Sequence, residues 1–207
     1  MKGLILKEFL LYKKFKVLYI IIISLFGVLG IFAPGLQFFI ALYLSIGILS
    51  SLSNDEKNKW TQYSYILPVE RKLFVNAKYN VALIISVAVN ILNTVMYLIS
   101  SLFRITDFNI RELLLLYTIC FGVSLFPFSF YMPIAYKFNS NVGVVILAIV
   151  LLVPLLVIPV GSRVELINKL FSPLPAVSIS LIAIAVIIAV FMLSWFISVK
   201  IYEKRDL

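Results

Sequence analysis

Residues 53–79 read SNDEKNKWTQYSYILPVERKLFVNAKY. This stretch holds Asp55, Glu56, Lys57, Lys59, Glu70, Arg71, Lys72 and Lys78, with Trp60, Tyr63, Tyr65 and Tyr79 among them. On both sides of it the chain is close to hydrocarbon. A charged island between long apolar runs decides the fold: the runs are expected to lie in a bilayer and the island outside it. A membrane protein with so little polar material has few places to meet a soluble partner, and this is the foremost one.

The composition supports that reading. The 207 residues are 63% hydrophobic and only 13% charged, about half the charged fraction of a soluble domain. These values exclude a soluble enzyme and a disordered chain. The apolar runs are continuous, without the alternation of a lipid-facing barrel strand, so helices are expected. The net charge of +9 would suit nucleic acid, but the basic residues lie at the ends of apolar runs rather than in one stripe. That is the positive-inside signature, and no nucleic-acid partner is expected. With no histidine and a single Cys120, the chain offers no zinc site, histidine triad or disulfide framework.

Six spans follow from the need for about 20 apolar residues per crossing: Val17–Ala33, Leu36–Leu52, Asn80–Phe103, Leu113–Pro133, Val142–Val160 and Ala176–Val199. Only Pro34-Gly35 separates the first two, and each is slightly short, so a re-entrant hairpin is an open alternative to two full crossings. Fourteen basic residues fall on the side of the island and four (Arg104, Arg111, Arg163 and Lys169) on the other. The count predicts both termini in the cytoplasm. The start lacks the small-residue cleavage site of a signal peptide.

The first sixteen residues are expected to form an interfacial helix or a cytoplasmic extension of the first span. In the interfacial form Leu4, Ile5, Phe9, Leu11 and Phe15 face acyl chains while Lys7, Glu8 and Lys14 stay wet, and an anionic leaflet favours the lysines. Between the last two spans, residues 161–175 predict a short external helix. There Ser162 and Glu165 have capping-box spacing, Val164, Ile167 and Phe171 recur helically, and Pro173 and Pro175 end the helix.

Inside the island, Ser53 and Glu56 also have capping-box spacing. They predict a short transverse helix with Trp60, Tyr63 and Leu67 on one face, ending before Pro68. Pro68 then suits the first turn of a helix running through Arg71 and Lys72 into the third span. Read as residues alone, this is an interfacial helix with an aromatic belt or a docking element. On the third span, Ser86, Asn90, Asn93 or Thr94, and Tyr97 form a polar stripe that should point into the bundle, either as structural hydrogen bonding or as a substrate path. Pro127 and Pro133 with Ser124 and Ser129 predict a kink whose freed carbonyls are satisfied locally. Pro154 and Pro159 would weaken the fifth span. No acidic or basic residue lies well inside a span, which argues against ion-coupled transport and suits a hydrophobic or amphipathic substrate.

The run Asn54-Asp55-Glu56-Lys57-Asn58-Lys59-Trp60, then Leu67-Pro68-Val69-Glu70-Arg71-Lys72 and Ala77-Lys78-Tyr79, resembles the first cytoplasmic loop of small ABC-2 type transporter permeases. Met1-Lys2-Gly3-Leu4-Ile5-Leu6-Lys7-Glu8-Phe9 and Tyr202-Glu203-Lys204-Arg205-Asp206-Leu207 resemble that family's ends. The resemblance implies an all-α, type V exporter-like permease with six spans and both ends inside. It implies pairing with an identical or different permease chain, and two copies of a separate ATPase subunit that holds ATP and Mg. It makes the island helix the coupling helix, placing Asn54, Glu56, Lys57, Lys59, Trp60, Tyr63 and Leu67 at the ATPase, with Trp60 and Tyr63 as anchors. The chain has no G-x-x-x-x-G-K-[ST] motif, so hydrolysis is expected on the partner, and no cofactor here.

The expected function is the permease subunit of an exporter in a bacterial cell membrane. Small members of the family resemble exporters of antimicrobial peptides and phenol-soluble modulins. The alternative is an accessory or immunity protein that binds a peptide or toxin without moving it. An intramembrane enzyme would need acidic or histidine clusters within spans, and the sequence has none.

Overall fold

The computed structural model describes residues 2–14, 16–32, 34–64, 66–67, 69–103, 105, 109–145, 148 and 176–204. Val142–Val160 is therefore described only near its start. The expected external helix with Ser162 and Glu165, and Pro68, Pro154, Pro159, Pro173 and Pro175, lie outside the described residues.

Those residues form helices and no strand. The helices are α1 (Lys2–Lys14), α2 (Lys16–Phe32), α3 (Phe38–Lys57), α4 (Trp60–Ser64), α5 (Arg71–Leu102), α6 (Ile110–Lys137) and α7 (Ala176–Glu203), with a 3-10 turn at Pro34–Gln37. Residues 140–145 are helical as well. Three stretches are long and apolar enough to cross a membrane: Arg71–Leu102, Leu113–Lys137 and Val177–Glu203. α1 and α2 meet at 72°, and as one bent unit they also pass that test. The bend turns α1 off the axis of α2, as an interfacial helix requires.

α2 and α3 are a hairpin around the 3-10 turn. Gln37 is fully buried there and its Nε2 donates to the Gly30 carbonyl at 3.1 Å. A side chain at Gly30 would collide with Gln37, so glycine is what admits this closure. Asn109 caps α6, its Oδ1 accepting from the Arg111 amide at 3.0 Å.

α6 packs along most of α7 and also contacts α3 and α5. The larger core lies toward the island end and includes Phe74, Tyr79, Phe128, Tyr131, Tyr136 and Phe191. Serines stitch the helices where hydrocarbon offers no hydrophobic drive for association. Ser45 Oγ donates to the Ser124 carbonyl at 2.9 Å, Ser100 Oγ to the Ile31 carbonyl at 2.6 Å, and the Tyr79 hydroxyl bonds Ser194 and Ser198 at 2.7 and 2.8 Å.

α6 continues through Pro127 and Pro133. A proline at 133 has no N–H for the carbonyl of Ser129, four residues earlier. The Ser194 hydroxyl of α7 donates to that carbonyl at 2.6 Å. The freed acceptor is thus met by a neighbouring helix, not locally as the sequence suggested.

Gly47 permits another close approach. A Cβ there would collide with the Tyr19 hydroxyl and lie 2.8 Å from the Tyr12 ring, and these two rings pack 5.3 Å apart. Gly47→Val should therefore lower thermal stability by about 1–3 kcal/mol, the usual cost of overpacking. Melting the two proteins in the same detergent tests this; equal midpoints would show that the tyrosines are free to move aside.

Candidate functional site

The charged island does not fold as one transverse helix. α3 runs unbroken through Ser53 to Lys57, so Ser53 is an interior residue, not an N-cap. Helix α3 ends at Asn58, whose N–H returns to the Asn54 carbonyl at 3.0 Å. Lys59 then takes φ of 52°, in the left-handed region, which costs a lysine on the order of 1 kcal/mol. This residue separates α3 from the single turn of α4. The chain leaves α4 through turn residues 66 and 67 and enters α5 at Arg71.

Glu56 is used elsewhere than the spacing suggests. Its carboxylate accepts from the Ser140 amide at 3.0 and 3.1 Å and from the Ser140 hydroxyl. It therefore caps the helix that begins at residue 140, where exposed N–H groups and the helix dipole favour an anion.

Beside it lies a buried quartet of charges. The Lys78 ammonium, 5% exposed, donates to Glu8 Oε1 at 3.0 Å, to Ser51 Oγ at 2.9 Å and to Asp55 Oδ2 at 2.8 Å. An ammonium has three protons, and all three are placed. Lys7 pairs with Asp55 and with Glu8 at 3.3 Å, and its Nζ sits 4.6 Å above the Trp60 ring. Two cations and two anions, from α1, α3 and α5, cancel. The remaining cavity is about 20 Å³, near the size of one water, so the quartet is a joint and not a substrate pocket.

The expectation that Glu8 stays wet is corrected here, while Lys7 keeps a quarter of its side chain exposed. Glu8 is buried because Lys78 comes to it from 70 residues away. Burial pushes its carboxyl up, but the charges of Lys78 and Lys7 and hydrogen bonds from Lys78 and Ser51 outweigh that and hold it below the usual range.

The coupling residues read from sequence thus face different ways. Trp60 is half-buried, turned inward under Lys7 and against the core. Leu67 also packs on the core. Glu56 is tied to Ser140. Asn54 and Lys57 line a groove between α2 and α3. Lys59 and Tyr63 are exposed, as is Ile66, and the latter two show 60% and 79% of their surface. Ile66 is the residue the sequence reading missed, because in the short run Ile66-Leu67-Pro68-Val69 nothing local tells an exposed side chain from a packed one. The Ser64 hydroxyl lies 3.4 Å from that of Tyr202, and Arg71 Nη1 donates to the Glu203 carbonyl at 3.1 Å. Both contacts bind the island to the end of α7.

The polar stripe on α5 faces inward as expected. Ser86, Asn90, Asn93 and Tyr97 are buried and Thr94 is half-buried. Ser86 meets Ser124, Asn90 Nδ2 donates to the Ser86 carbonyl at 2.8 Å, Thr94 to the Asn90 carbonyl at 2.8 Å, and the Tyr97 hydroxyl to the Asn109 carbonyl at 3.3 Å. Asn90 Oδ1 and both polar atoms of Asn93 have no hydrogen-bond partner among the described residues.

A bundle of long apolar helices, closed at one end by a neutral charge joint and carrying a small exposed tip there, is the architecture of a multi-pass membrane protein. The family model of the ABC-2 family transporter proteins matches residues 3–203, and the chain belongs to that family. It is a membrane permease component of an ABC transporter. No curated protein and no solved structure matches it.

Removing one member of a buried ion pair leaves the others uncompensated, at a cost of about 3–5 kcal/mol. Lys78→Met should lower stability by about that much and release α1 to proteolysis, and a melting shift no larger than that of an exposed lysine would disprove the joint. The pH dependence has a definite sign. A carboxyl held low in the folded state contributes stability above the usual carboxylate range and loses it as pH falls through its folded value. The stability gap between wild type and Glu8→Gln should be widest near neutral pH and close on acidification below about pH 5. A gap independent of pH would mean that Glu8 acts by shape alone.

Proposed function

We propose that this permease is the membrane half of an ATP-driven exporter, with six spans and both ends on the cytoplasmic side of a bacterial cell membrane. It works as a pair of permease chains, identical or mixed, on two copies of a separate ATPase that binds ATP and Mg. The substrate is hydrophobic or amphipathic, most consistently a peptide. The α5 stripe of Ser86, Asn90, Asn93, Thr94 and Tyr97 is the polar face that would line its path.

One observation carries the coupling assignment. Tyr63 and Ile66 are exposed at the tip of the island, while the same island is anchored in three directions: Trp60 toward α1, Ser64 toward α7 and Glu56 toward residue 140. A partner seated on Tyr63 and Ile66 therefore holds a lever on three elements. In this reading Tyr63 and Ile66 are the anchors with Lys59 at the rim, and Trp60 is the fixing that transmits force.

The test is co-purification in detergent with the ATP-binding subunit encoded beside it. Tyr63→Ala with Ile66→Asp should weaken the complex by about 2 kcal/mol or more, roughly thirtyfold in Kd, with the melting point of the free permease unchanged. Trp60→Ala should instead lower that melting point. ATP-dependent uptake of an amphipathic peptide into inverted vesicles should fall with the tip variant. If no ATPase binds wild type, the coupling reading fails and peptide binding without transport becomes the better account.

A further inference from the structure

One face of α3 runs Ile46, Ser50, Ser53, Asn54, Lys57, at the helical spacings of three and four that bring side chains into one line. With Leu18 and Tyr19 of α2 it walls a groove of about 300 Å³. Lys57 closes the end nearest the island, where the sequence is richest in charge. From Ile46 to Lys57 the helix rises about 16 Å.

The chemistry along that face is graded. Leu18 and Ile46 are exposed apolar side chains. Next come the Ser50 hydroxyl, whose proton goes to its own helix at the Gly47 carbonyl, then the Ser53 hydroxyl, the Asn54 carboxamide and the Lys57 ammonium. Ser53, Asn54 and Lys57 have no side-chain partner among the described residues. This contrasts with Lys7, Lys72 and Lys78, all held in ion pairs. The exposed Lys13 and Lys16 precede Leu18 and Tyr19 at the same basic end.

We infer that this groove binds an anionic phospholipid of the surrounding bilayer. Its apolar mouth takes acyl chain, the Ser53 hydroxyl and the Asn54 carboxamide donate to ester and phosphate oxygens, and Lys57 meets the phosphate charge. Lys57, with no acid paired to it, disfavours a headgroup that carries its own ammonium. The proposal needs only a bilayer around the bundle and stands whether or not the island docks an ATPase.

Native mass spectrometry of the full chain released from detergent tests it, with phosphatidylglycerol and phosphatidylcholine of identical acyl chains. Phosphatidylglycerol should be retained preferentially. Ser53→Ala, Asn54→Ala and Lys57→Gln together should lower its apparent affinity by roughly tenfold, since one lysine near an anionic surface accounts for about fivefold. Ile46→Trp, which fills the mouth without touching a donor, should also expel the lipid, whereas glycerol phosphate without acyl chains should not compete. Equal retention of the two lipids, or unchanged retention by the triple variant, overturns the proposal. Tight competition by glycerol phosphate overturns it too, by making the site one for a free anion.

Discussion

A lysine ammonium taken out of water among packed helices stays charged only where anions are placed close to it. Lys78 sits at that limit, and the end of the bundle is arranged around it. Glu8 must come from α1 and Asp55 from the last turn of α3, with Ser51 one turn earlier taking the third proton. Lys7 then restores neutrality and its charge draws in Trp60. Replacing the whole quartet by hydrocarbon would remove this demand, and buried ion pairs commonly give little net stability. What the quartet supplies is position: α1 has one seat, and that seat fixes where α4 lies.

The same demand explains the island's division of labour. Once Asp55 faces inward, Glu56 beside it points 100° around the helix and reaches Ser140, while Asn54 and Lys57 are carried to the side of α2. The left-handed Lys59 then breaks the helix, so α4 is free to take its own direction. Trp60 and Ser64, four residues apart, turn inward, while Tyr63 lies beside Trp60, its ring centroid 6.0 Å away, and stays exposed.

Three of the expected spans were legible because uninterrupted apolar length is a local property. Leu113–Pro133 and Ala176–Val199 fall within α6 and α7, Asn80–Phe103 ends one residue past α5, and the Pro34-Gly35 turn falls between α2 and α3. The inward polar stripe was legible too, since Asn90 and Asn93 in hydrocarbon have nowhere else to go. The charge joint was not. Lys7, Glu8 and Lys78 flank apolar runs, where charges ordinarily face water, and a pairing across 70 residues leaves no trace in local pattern. Ser53 and Glu56 misled for a related reason: Ser-x-x-Glu spacing marks a helix start only where the chain turns, and here the turn comes later, at Lys59. Trp60 was read as an outward anchor because an aromatic near a membrane surface is ambiguous until its cation is known.

Burial of Asp55 has a further consequence for the chemistry left on the surface. Asp55 and Glu56, the only acids in α3, are both consumed inside the protein. The outer faces of α3 and α4 therefore present Lys57 and Lys59 with no acid of their own helices beside them. Alternating acids and bases along an exposed helix would screen each other and favour neither a membrane nor a partner. Here the joint and the cap at Ser140 withdraw both acids of α3 and leave a positive exterior there, divided by the break at Lys59 into a face beside α2 and a tip at Tyr63. The helix break that lets α4 form is thus also what keeps those two surfaces apart, so that occupation of one does not require the other to be vacant.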